Sequence, residues 1–462
     1  MFSRETYINR RQVLKKAMGS GLIILPGNEE VGMNYRDNIY HFRQDSSFLY
    51  YAGIDRPSLF LIIDIDADLE ILFGDNLTIE QTVWVGPQDS LNSDAEKTGI
   101  TTVQPFSFVE AVLKNAVQQK RAIHFLSPYR AAITLKLSSW LDIHPNEIAK
   151  KSSIPLSKAI IAQRSYKTNE ELIEIEKAVD ITAAMHLKAI QSARPGMTEY
   201  EIAGQVEGTA ISLGGHLAFP TILTVNGQYL HNHAGSNVLK EGQLVLCDCG
   251  AENNMRYAGD MTRTFPVSKT FTTQQKEIYN IVLKAEEAAI ATLKPGTFFK
   301  DSHLTACKEI LTGLKSLGLV KGDLDEAVAA GAHTLFFQCG LGHMMGMDVH
   351  DMENIGEEYV GYTETLKKST EFGLKSLRLA KELEEGFVLT VEPGIYFIPE
   401  LIDQWQAENK YSEFINYDKV QAYRNFGGIR IEEDFLITKE SYKLLGKPLA
   451  KTAEDIEALR NY

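Results

Sequence analysis

Four acids and one histidine in the second half of the 462-residue chain are placed to do chemistry: Asp248, Asp260, His343, Glu392 and Glu432. Each interrupts an apolar, strand-like run: LVLCDCGAE, YAGDMTRTF, CGLGHMMGMDVHD, FVLTVEPGIYF and GGIRIEEDFLIT. A carboxylate in such a setting is costly to bury unless it is paired, protonated or metal-bound. Four of them with one imidazole read as a shared, oxygen-rich site for two divalent cations. That donor set suits Mn²⁺, with Co²⁺ or Zn²⁺ as alternatives, better than a structural zinc ion, which takes thiolates. Two such ions about 3.5–4 Å apart bridge a water, lower its pKa and polarise a carbonyl, so hydrolysis is the reaction class.

The elements around these residues must bring them to one place. Strand alternation in LVLCDCG puts Asp248 on one face and Cys247 and Cys249 on the other, so the two thiols are read as core residues and not as partners of Asp248. Asp248 and Asp260 are expected to face each other across a hairpin turning near Glu252–Met255. A two-residue Asn253-Asn254 turn would pair 248 with 259 and send Asp260 to the wrong face. A shared site therefore requires an odd connection, either a three-residue loop or a bulge at Gly259. Glycines flanking His343 allow close backbone approach, and His350 follows in the same segment. Glu392 precedes Pro-Gly and so stands at a strand end. In GIRIEED, Arg430, Glu432 and Asp434 share one face.

At this length two domains are expected, and the texture changes after Arg164. Residues 1–165 read as an α/β unit, with strands at 58–65, 69–74 and 122–126 and an amphipathic helix at 108–119. Residues 166–462 open with a capping box, Thr168-Asn-Glu-Glu171, ahead of a long helix. This second part reads as a duplication. Helix–Pro-Gly–helix occurs around Pro195 and again around Pro295, each time followed by strands that carry the acids. The formal charge of −14 argues against nucleic acid or an anionic membrane as partner. No apolar run reaches spanning length, no signal peptide is read at the start, and four cysteines make no disulfide framework. A cytoplasmic protein is expected.

As an ordered set these motifs resemble those of the pita-bread metallopeptidases, the group containing methionine aminopeptidase, aminopeptidase P and prolidase. HFRQDSSFLYYAG (41–53) resembles the N-terminal domain of the latter two, so the resemblance spans nearly the whole chain. It implies an α+β fold, with a pita-bread catalytic domain behind a creatinase-type α/β domain. It implies that Asp248, Asp260, His343, Glu392 and Glu432 hold two metal ions per subunit, usually manganese, with Asp260 and Glu432 bridging. His231, in YLHNHAG, and His350 match non-ligand histidines that contact substrate and stabilise the tetrahedral intermediate. Glu392 matches the acid proposed to shuttle a proton from the bridging water. The implied activity is cleavage of the bond between an N-terminal residue and proline in proline-containing di- or oligopeptides, by homodimers or homotetramers.

The stretch 399–428 and LHNHAG look like prolidases, so the reading leans to an Xaa-Pro dipeptidase over an aminopeptidase P acting on longer peptides. Arg378 and Arg430 match basic residues near the substrate, and a dipeptidase would use such a cation for the free carboxylate. The chain departs from the family pattern where Cys339 replaces the first histidine of His-Gly-Leu-x-His, removing a polar contact expected in the proline pocket. The Asp–Asp interval (260 − 248 = 12) is also one longer than expected. A creatinase-like hydrolase needing no metal, and a binding protein reusing the fold, are the competing readings. The intact set of five donors argues against both.

Overall fold

The computed structural model describes residues 1–460. The chain divides into two compact units, Met1–Arg164 with Glu353–Tyr359, and Ser165–Met352 with Val360–Tyr462. A single boundary at 165/166 leaves the second domain unbroken to the end, whereas Glu353–Tyr359 belongs to the first unit. There the Lys158 ammonium lies 5.5 Å from the centre of the Tyr359 ring, a cation–π contact.

The first unit is built on a five-stranded sheet of β1 (Leu22–Pro26), β2 (Phe60–Asp64), β3 (Leu69–Phe73), β4 (Thr102–Gln104) and β5 (Ile123–His124), in the order β4-β3-β2-β1-β5. The three central strands are antiparallel, and β4 and β5 join the edges in parallel. Alternation puts Leu22, Ile24, Phe60, Ile62 and Phe73 into one core with Val109, Leu113 and Leu137 from the helices Val109–Gln118 and Ala131–Leu141. The expected strand at 122–126 shrinks to two paired residues at the sheet edge.

The second unit contains β6 (His216–Leu217), β7 (Ile222–Val225), β8 (Leu244–Cys249), β9 (Ala251–Glu252), β10 (Met261–Pro266), β11 (Val388–Val391), β12 (Gly394–Tyr396), β13 (Gly428–Arg430), β14 (Glu433–Ile437) and β15 (Tyr442–Leu444). Its sheets are β10-β8-β7, β11-β14-β15, β12-β13 and β6-β9. Two packed helix pairs accompany them: Asn169–Ser192 with Glu199–Ser212, and Thr273–Ile290 with Phe299–Ser316. Thr168 and Glu171 form the expected capping box.

The duplication is visible in the backbone. Gly196 and Gly296, in the two Pro-Gly turns, have φ of +91° and +88°, a region that favours glycine. The Gly196 amide donates to the Leu239 carbonyl, and Gly296 donates to Leu383 in the same way. Bridges Thr198–Val238 and Phe298–Glu382 repeat the match one step further on. From each partner leucine to the strand-end acid the interval is identical (248 − 239 = 392 − 383 = 9). Asp248 and Glu392 are therefore counterparts, one delivered by each half.

Candidate active site

The β8–β10 register sets Asp248 opposite Thr262 and Cys249 opposite Met261. The pairing continues through Glu252–Ala258, and the Asn253 amide donates to the Tyr257 carbonyl. What remains is a three-residue loop, 254–256. Asn253 Oδ1 accepts the amides of Met255 (2.9 Å) and Tyr257 (3.2 Å), and Arg256 takes the left-handed φ of +64° that closes the loop. This is the odd connection the shared site requires, and no bulge is needed. Asp248, Asp260 and Thr262 consequently share a face, while Cys247 and Cys249 lie fully buried on the other.

The other donors arrive from the second half. The segment holding His343 runs beside β11: the Glu392 amide donates to the Leu341 carbonyl, the Thr390 amide to the His343 carbonyl, and the His343 amide to Thr390 Oγ1. A side chain on Gly342 would collide with the Thr390 carbonyl, so only glycine permits this approach. His343 Nδ1 lies 3.1 Å from the Met344 carbonyl. Donation of Nδ1–H to that oxygen leaves the Nε2 lone pair facing Asp260 Oδ2 (3.4 Å) and Glu392 Oε1 (3.7 Å). Glu432 joins through a bridge to Thr262, whose hydroxyl donates to Glu432 Oε2 (2.6 Å). Donor atoms of Asp260, His343 and Glu432 all lie within 4.8 Å of one another, and all three residues are buried.

Electrostatics make the cluster short of positive charge. Burial, then the Asp248 charge, pushes Asp260 up to about 7. Glu392 is also pushed up to about 7 by burial, with His343 and Arg430 opposing and Asp260 and Asp248 assisting. Glu432 and Asp434 are driven well above the carboxylate range by burial and then by Asp260. Asp434 Oδ2 accepts the Asp260 amide (3.1 Å), while Asp260 Oδ1 and Asp434 Oδ1 are buried without a hydrogen-bond partner. Orphaned acceptors of this kind are costly, and a cation among them removes the cost. The residues present therefore fit a divalent metal centre of oxygen donors with one imidazole.

The remaining predicted residues surround this cluster. The ring of His350 lies 4.0 Å, centre to centre, from that of His343. His231 is exposed, on the irregular segment after Val225. Its pKa is held below the ordinary histidine value by desolvation first and then by Arg430, with Asp248 opposing and Arg378 and His350 adding to the depression. These five side chains thus share one electrostatic neighbourhood. The Cys339 thiol is pushed up to about 12 by burial and by Glu392, so it stays protonated, beside the Tyr396 hydroxyl. Arg430, read from the sequence as a substrate-facing cation, is 2% exposed and fully engaged inside the protein. It donates to Asp248 Oδ2, to the Tyr396 hydroxyl (2.7 Å) and to Thr262 Oγ1 (3.0 Å). Thr262 and Tyr396 escaped the sequence reading. Thr262 had a signal, since it follows Asp260 at the strand period of two, whereas nothing in the order of residues joins Tyr396 to Arg430.

The chain belongs to metallopeptidase family M24: the family model matches residues 174–439, and the model for the aminopeptidase P N-terminal domain matches 7–124. The fold is accordingly a pita-bread domain behind an aminopeptidase P-type N-terminal domain. Among its relatives, the human Xaa-Pro dipeptidase is 32% identical over 99% of this chain and 92% of its own length. The Xaa-Pro aminopeptidase of Escherichia coli strain K12 is 30% identical over 99% and 98%. The solved proline aminopeptidase P II from Yersinia pestis superposes with a TM-score of 0.81 at 29% identity, covering 99% of both chains.

Proposed function

We propose that the protein is an Xaa-Pro exopeptidase that works with two divalent cations, Mn²⁺ foremost, in this acidic cluster, and that dipeptides are its preferred substrates. The observation that carries the metal reading is His343, its Nε2 turned to Asp260 and Glu392 while Nδ1 is tied to the Met344 carbonyl. Relatives named Xaa-Pro dipeptidase and Xaa-Pro aminopeptidase support the proline specificity.

In this reading Asp248, Asp260, His343, Glu392 and Glu432 would hold the pair. The cations supply a water of lowered pKa and polarise the scissile carbonyl. Every other task falls to the chain. Glu392, at the strand end beside His343, serves as the general base and acid, the role its match to the family motif implies. His350, half-buried beside His343, donates to the oxygen that gains charge, and His231 orients the substrate from the exposed side. Arg430 fixes Asp248, and Thr262 fixes Glu432. Cys339 contributes a neutral, weakly polar wall to the proline pocket.

Arg378, which matches a basic residue near the substrate and bears on His231, is the cation assigned to a dipeptide's carboxylate. Such a contact is worth roughly 1.5–3 kcal/mol. Ala-Pro should therefore exceed Ala-Pro-Ala by about ten- to a hundredfold in kcat/KM, and Arg378→Ala should erase most of that preference without loss of metal. Equal or faster cleavage of the tripeptide would turn the reading to an aminopeptidase P. The same proposal has the enzyme act in the cytoplasm as a homodimer or homotetramer.

A further inference from the structure

A second cluster of metal-ligating side chains lies in the peptidase unit, built from residues the reaction does not use. His303 and Cys307 occupy one face of the helix Phe299–Ser316, one turn apart, and His333 comes from the short 3₁₀ turn Ala332–Leu335. One donor atom from each lies within 4.8 Å of the others. His303 Nε2 is 3.4 Å from Cys307 Sγ, and the two imidazole rings meet edge to face at 6.2 Å. All three residues are at most 1% exposed.

The cluster is unsatisfied as it stands. His303 Nδ1, His333 Nδ1 and His333 Nε2 are buried without a hydrogen-bond partner; the Val328 carbonyl bears on the His333 ring but not in hydrogen-bonding geometry. Buried polar groups in native proteins are nearly always paired, and three orphaned nitrogens within one group of side chains call for a ligand. Burial holds both imidazoles neutral, His303 at about 3 and His333 at about 4, so each has a lone pair to offer.

We propose that His303, Cys307 and His333 form a further metal site for a thiophilic closed-shell ion, Cu⁺ or Zn²⁺, distinct from the acidic centre. The donor set is the reverse of the catalytic one: two imidazoles and a thiolate, with no carboxylate, which disfavours Mn²⁺ and Mg²⁺. On binding, the Cys307 thiol releases its proton to solvent and the sulfur bonds the ion. With Cu⁺ the assembly of one thiolate and two neutral imidazoles carries no net charge, which suits so dry a location; Zn²⁺ would need a fourth donor beyond these three side chains. The ion would tie the Phe299–Ser316 helix to the segment that runs from His333 through Cys339 to His343, and so would be structural.

Cobalt reads this site separately, because the acidic centre contains no sulfur. The full chain should be produced in cobalt-supplemented minimal medium, so that the buried site fills during folding. Its spectrum should show a near-ultraviolet thiolate-to-cobalt charge-transfer band of about one equivalent per chain. Cys307→Ser should abolish the band, His333→Gln should abolish or shift it, and Asp260→Asn should leave it in place. In parallel, growth with zinc or copper followed by metal analysis tells the two ions apart, the excess over Cys307→Ser being the occupant. Absence of the band, or a band unchanged in both Cys307→Ser and His333→Gln and so arising at Cys247 and Cys249, would overturn the proposal. Should Cys307→Ser fail to fold, His333→Gln alone decides between these outcomes.

Discussion

At the scale of single residues, the site depends on tautomers and tethers as much as on donors. His343 can turn a lone pair to the acids only because the Met344 carbonyl takes its other proton. Asp248 and Glu432 are each held by a partner deeper in the fold, Arg430 and Thr262. His350 touches the ring of His343 and lies outside the tight group of donor atoms. Its proposed task is to stabilise the developing oxyanion. His350→Ala should therefore lower kcat by about 10²–10³-fold while metal content, read by elemental analysis, stays at the wild-type value. Loss of metal from that variant would make His350 a ligand and contradict the assignment.

At the scale of elements, the β8–β10 hairpin decides whether two acids can meet. The three-residue loop 254–256 keeps Asp248 and Asp260 in phase, so deleting Met255 should put them on opposite faces. The deletion variant should bind less than half the wild-type complement of metal, whereas Met255→Ala, which preserves the register, should bind it in full. Equal metal in both would show that the loop does not set the site. This register was readable in the sequence, because two acids twelve apart on strands of known periodicity leave few connections. The helices around the two Pro-Gly turns were equally legible from caps and spacing. Other features were not, since they depend on contacts between distant residues. The engagement of Arg430 requires Tyr396 and Thr262 at once, 34 and 168 residues away. The membership of Glu353–Tyr359 in the first unit leaves no periodic trace, and the His303–Cys307–His333 group joins a helix to a 3₁₀ turn.

At the scale of the whole molecule, two halves related by duplication converge on one acidic centre, and this shapes the stability of the metal-free protein. Asp260 and Glu392 both have folded-state values of about 7, above the ordinary carboxylate range. Together with Glu432 and Asp434, which burial drives higher still, they hold more protons in the folded state between about pH 4 and 7 than His303 and His333 give up on folding, so stability is greatest at the acid end of that window and falls as pH rises. The melting temperature of chelated protein should drop from pH 5 to pH 8, and Mn²⁺ should restore it most at pH 8, where the acids are ionised and free to bind. A melting temperature of the chelated protein that rises with pH over this range would contradict the linkage. The central claim, that five donors from both halves hold two cations which cleave Xaa-Pro bonds, has one direct test. Metal-free protein is titrated with Mn²⁺ while bound metal and Ala-Pro hydrolysis are followed together, for the wild type and for Asp260→Ala. The expected outcome is about two ions per chain, activity that rises only as the site fills, and no hydrolysis by Asp260→Ala. Full activity in the metal-free protein, or an Asp260→Ala variant as active as the wild type, would contradict it.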